Sequence, residues 1–118
     1  MNDETPSSKI LLTNSKAQTD AVFEKQNIRL FDVKGKKIAV ARWGSEFYAF
    51  DNACPHMDYP LTEGHITANR EVTCSWHNYR FDLQTGISSK QGCRPLKTYQ
   101  LEKALDGGLF LYLDTSRG

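Results

Sequence analysis

No apolar run in this chain of 118 residues approaches the ~18 that a membrane-spanning helix needs. Charge of one sign is also missing: 15 Lys and Arg against 14 Asp and Glu leave a net +1. That balance argues against a nucleic-acid binder, which is usually strongly basic on at least one face. It also predicts weak overall charge steering toward a partner. The opening MNDETPSSK is polar and partly acidic, so it reads as neither a secretory signal nor a transit peptide. The cytosol is the expected location. Cysteine is scarce, and three is an odd number. In a reducing compartment this argues against a disulfide framework and for metal binding or thiol reactivity. Long segments of 3.6-residue period are absent, as are internal repeats and low-complexity stretches.

What is present reads as short strands. Residues 1–8 lack large apolar groups and are expected to be a disordered tail. NIRLFDV (27–33), KKIAVARW (36–43) and EFYAF (46–50) follow one another as a meander, with turns at Gly35 and at Gly44-Ser45. EVTCSW (71–76), YRFDL (79–83), KTYQLE (97–102) and LFLYL (109–113) are further strands, the last two joined across Asp106-Gly107-Gly108. A short helical turn is expected within 17–26. The fold class is therefore all-β, a small sandwich or barrel of antiparallel strands. A single domain is expected over residues 9–115.

Two of the three cysteines and all three histidines fall between Cys54 and His77. Cys54 and His56 are one residue apart, Cys74 and His77 two, and seventeen residues separate the pairs. These four are candidate metal ligands. Zinc is the plainest occupant of a Cys₂His₂ set, and C-x-x-H suits it. The C-x-H pair suits it less, because both side chains of an extended C-x-H would point the same way, about 7 Å apart at the backbone. Two metals side by side fit that spacing better, as in a binuclear iron–sulfur centre with two cysteines and two histidines. His65 has no cysteine at ligand spacing and reads as an ordinary loop or strand histidine. Cys93 reads as a small buried apolar group, with an oxidation-sensitive thiol as the other possibility.

Cys54-Pro55-His56 and Cys74-Ser75-Trp76-His77 resemble the Rieske signature C-x-H…C-x-x-H. YAFDNACPH, YRFDLQTG (79–86) and GCRPL (92–96) resemble its flanking segments, so the resemblance covers roughly residues 27–113. It implies stacked antiparallel β-sheets with a cluster-binding subdomain at one tip, its loops within about 52–95. It implies one [2Fe-2S] cluster per chain, with Cys54 and Cys74 on the inner iron and His56 and His77 on the outer one. Tyr59 and Trp76 would shield the cluster, and Pro95 would stiffen the third loop. Tyr79 and Phe81 would stand where high-potential members place a serine and a tyrosine that donate to cluster sulfurs. The family commonly has glycines where this chain has Met57-Asp58-Tyr59 and Asn78. Asp and Asn tolerate the left-handed conformation better than other non-glycine residues.

The resemblance implies a soluble one-electron carrier and not an enzyme. With the chain ending about thirty residues after the cluster loops, no catalytic iron, flavin or haem domain is expected. The expected partners are a flavin-type reductase as donor and a terminal oxygenase or other oxidoreductase as acceptor, with no nucleic acid, no membrane and a monomeric chain. Docking is expected at the cluster tip, with the turns at Gly35 and Gly107 at the far end. The other readings are a non-catalytic subunit of a nitrite-reductase-like complex, a redox sensor and a structural zinc module.

Overall fold

The computed structural model describes residues 9–55, 58–75 and 78–113. Among the described residues nine strands make two antiparallel sheets, beside one short α-helix. In chain order they are β1 (Lys9–Thr13), α1 (Lys16–Val22), β2 (Ile28–Val33), β3 (Lys36–Trp43), β4 (Glu46–Asp51), β5 (His65–Ile66), β6 (Glu71–Thr73), β7 (Arg80–Asp82), β8 (Thr98–Lys103) and β9 (Leu109–Tyr112). A 3₁₀ turn, Leu61–Glu63, precedes β5. The large sheet runs β1-β9-β8-β4-β3-β2, and the small one β5-β6-β7. Only two residue pairs, Ala49↔Tyr99 and Phe50↔Thr98, join β4 to β8. The large sheet thus divides into two three-stranded halves at that seam. With the small sheet they form the stacked antiparallel arrangement expected from the sequence.

The chain folds around two cores that share β3. Ile38 and Val40 face one core, Ala39 and Ala41 the other, and all four are 0 % exposed. A strand covered on both faces reads as a continuous apolar run, which explains the unbroken IAVA. The first core gathers Phe23, Val33, Ile38, Val40, Leu109 and Leu111, mainly from the large sheet and α1. The second gathers Phe50, Leu61, Val72, Phe81, Leu83 and Leu96, together with Cys54 and Cys74. Each large side chain so buried contributes about 1.5–3 kcal/mol.

Local chemistry sets the turns. Lys34 and Gly35 both take positive φ (53° and 85°), the pair that a tight β2–β3 hairpin requires. Helix α1 starts at Ser15, whose hydroxyl accepts from the Gln18 N–H at 3.1 Å. It is the short helical turn expected within 17–26, beginning one residue earlier and ending where Phe23 turns inward, 1 % exposed. β6 also stops short of the expected 71–76, at Thr73, where the chain leaves the sheet with Cys74.

Candidate metal centre

Two loops whose described residues share one geometry lie beside the second core. The first runs over 54–59 and the second over 74–79, twenty residues on. In each, the cysteine N–H donates to the carbonyl of the tyrosine that ends the loop: Cys54 to Tyr59 at 2.9 Å, Cys74 to Tyr79 at 2.8 Å. In each, the residue before the tyrosine is left-handed, Asp58 with φ 62° and Asn78 with φ 57°. In each, a β-bridge closes the base, Ala53↔Pro60 and Thr73↔Arg80. Asp58 and Asn78 therefore make left-handed turns that glycine would make without strain, as short polar side chains sometimes do. The sequence carries this duplication as C-x₃-[DN]-Y, twice, too short to stand out as an internal repeat.

Both cysteines are sealed in, Cys54 at 1 % exposure and Cys74 at 0 %. The residues further along each loop are not: Asp58, Ser75 and Asn78 are exposed. In each loop a buried thiol is thus followed by exposed positions. His56 and His77, the other two candidate ligands, and Trp76 lie outside the described residues. Tyr59 and Tyr79 are partly buried and pack on the second core, where Phe81 is fully buried. His65 sits in β5, exposed, as expected of an ordinary strand histidine. Cys93 is partly buried and packs on the same core as the two loop cysteines.

Neighbouring segments hold the loops. The 3₁₀ turn lies between them: Leu61 N–H donates to Asn52 O at 2.6 Å, and Thr62 N–H to Asn52 Oδ1 at 2.9 Å. The Ser75 hydroxyl donates to Glu63 O at 2.8 Å, tying the second loop to the same turn. Gly64 follows, pressed so close to the loop base that a Cβ there would stand 1.7 Å from Thr73 O. The third segment, 88–97, returns past the first loop. Pro95 and Arg94 line a cleft with Cys54, Pro55 and Asp58. Arg94 Nη2 donates to Pro55 O at 3.0 Å. Below the cleft Tyr99 donates to Asp51. Burial pushes the Tyr99 phenol well above its ordinary range, and the hydrogen bond to Asp51 and its charge push the same way. Asn52, Ser75 and Arg94 were not legible as supporting residues, because their partners are backbone carbonyls or amides distant in the chain.

The residues present fit an iron–sulfur cluster. Two soft donors stand at equivalent places in twin loops, withdrawn from water, and none of the three cysteines is spent on a disulfide. Residues 15–100 match the Rieske [2Fe-2S] domain, and the chain belongs to that family. It binds a [2Fe-2S] cluster. Within the family it is a Rieske-type ferredoxin, an electron carrier and not a catalyst. It is 34 % identical over 87 residues to the methanesulfonate monooxygenase ferredoxin subunit of Methylosulfonomonas methylovora, covering 74 % of this chain and 70 % of that one. Among solved structures it resembles the ferredoxin of carbazole 1,9a-dioxygenase from Nocardioides aromaticivorans IC177, with TM-score 0.72, 26 % identity, and 86 % and 96 % of the two chains covered. It also resembles a chain in a complex of reduced oxygenase and oxidised ferredoxin of carbazole 1,9a-dioxygenase, with TM-score 0.74, 25 % identity, and 92 % and 98 % covered. No described helix is long and apolar enough to cross a membrane.

Proposed function

We propose that Cys54, His56, Cys74 and His77 hold the cluster, and that the chain carries single electrons from a flavin-type reductase to a terminal oxygenase. The twin loops, each headed by a buried cysteine, carry this reading. When bound, the cluster supplies a one-electron redox centre whose two imidazoles make it easier to reduce than an all-thiolate one. The residues of the chain do the rest. The second core keeps water from Cys54 and Cys74. The bridges at Ala53↔Pro60 and Thr73↔Arg80 hold the two loop bases in place. The exposed crests at Asp58 and Asn78 leave that end open to a partner. The fold over 9–115 serves as a single domain, and the cytoplasm, where thiols stay reduced, suits it.

The test is anaerobic purification followed by metal, sulfide and spin-resonance analysis. Two irons and two sulfides per chain are expected, with a reduced signal of two-nitrogen, two-sulfur ligation. Replacing any one of the four ligands by alanine should abolish that signal and electron delivery to an oxygenase. Zinc in place of iron, or a full signal after Cys54→Ala, would overturn the assignment.

A further inference from the structure

We infer that Arg94 is a positioning residue for the first cysteine loop, the contact being Arg94 Nη2 to Pro55 O at 3.0 Å. The inference rests on the ligand assignment proposed above. It comes from comparing the two loops place by place. Pro55 occupies in the first loop the place that Ser75 occupies in the second, directly after the cysteine. Ser75 fixes its own loop, because its hydroxyl donates to Glu63 O at 2.8 Å. Pro55 has neither a side-chain donor nor an N–H, so it can be held only through its carbonyl. Arg94 supplies the missing pin from a segment 39 residues further along the chain. The carbonyl it holds belongs to the peptide linking Pro55 to His56. Its charge makes this hydrogen bond stronger than a neutral one. The plane of that peptide sets where the His56 side chain starts. Arg94 therefore acts on this loop through the backbone, at Pro55 O.

Amide hydrogen exchange on the full-length, cluster-loaded protein tests this, read at matching sites in the two loops. In Arg94→Ala, exchange at Cys54 and Asp58 should quicken by roughly tenfold, the loss of one charge-assisted bond. Exchange at Cys74 should not change. The spin-resonance signal of the reduced protein should broaden or shift with it. Arg94→Lys, which can still reach the carbonyl, should restore most of both. Equal quickening in the two loops would mean general destabilisation and would overturn the inference, as would no change in either. Should Arg94→Ala fail to load, Arg94→Gln is compared in the same way. A wild-type protein without iron would overturn the ligand assignment instead. The exchange comparison, made in that case between the iron-free wild-type and Arg94→Ala chains, would still decide the Arg94 contact.

Discussion

Phe81 lies fully buried in the core that also holds Cys54 and Cys74, and it has no hydrogen-bond donor. On the ligand assignment proposed above, a hydroxyl at this place would donate to a cluster sulfur and favour the extra electron. Without one, the midpoint potential should lie nearer roughly −150 mV than +300 mV. Phe81→Tyr should raise it by about 40 mV if ~1 kcal/mol of the new bond distinguishes the two oxidation states. Voltammetry of the two proteins checks this, and an unchanged midpoint would show that position 81 does not address the cluster. The residue scale was the most legible in the sequence. Cys54 and Cys74 stood out because soft donors in paired spacing are rare by chance, and His65 stood apart because it lacks a partner. The pins were silent: Arg94 acts on a backbone carbonyl, and no residue-type pattern marks such a contact.

Strands with covered faces announced themselves. β3 has the bounds its apolar run suggested, and the β2–β3 and β3–β4 turns fall at their glycines. β1 went unread as a strand, since KILLT pairs with β9 through an irregular register between Leu11 and Thr13 and its alternation is short. β5, two residues long, is likewise too short to carry a period. Gly86 shows why one turn matters to the site. Its φ is +78°, and a Cβ there would stand 2.1 Å from Leu96 O. Its carbonyl accepts from Leu96 N–H at 2.8 Å, docking the end of the third segment onto the turn after β7. Gly86→Ala should therefore cost about 3 kcal/mol, from the strained φ and the clash together. Chemical denaturation checks it, and a loss below about 1 kcal/mol would mean that the turn relaxes freely.

Across the whole molecule, the turns sort to two ends. The Gly44-Ser45 turn and the 104–107 turn meet at one end, where Lys103 Nζ donates to Ser45 O at 2.9 Å and Leu105 is 109 % exposed. The β2–β3 turn does not join them, contrary to the expectation from sequence. Antiparallel pairing brings the start of β3 beside the end of β4, so Lys36 and Lys37 line a cleft with Ala53 and Asp58 of the cluster end. Hairpin direction is invisible until the register is known. The net charge of +1 also conceals local pattern: Lys90, Arg94 and Lys97 lie in a stretch, 83–101, without a carboxylate. On binding an oxygenase, amides of 54–59, 74–79 and 90–96 should be protected, and those at 44–45 and 104–107 should not. The association should weaken as salt rises. Protection confined to the far turns would contradict this. The seam at Ala49↔Tyr99 has a consequence for synthesis. β4 waits for a partner that lies beyond both cysteine loops in the chain. A ribosome delivers β8 last of these, seconds after Cys54 at ordinary elongation rates of about 5–20 residues per second. Both thiols therefore emerge from the ribosome before β8 does and before the frame around them can close, and in the interval after each emerges the nascent loops are open to whatever delivers iron and sulfide.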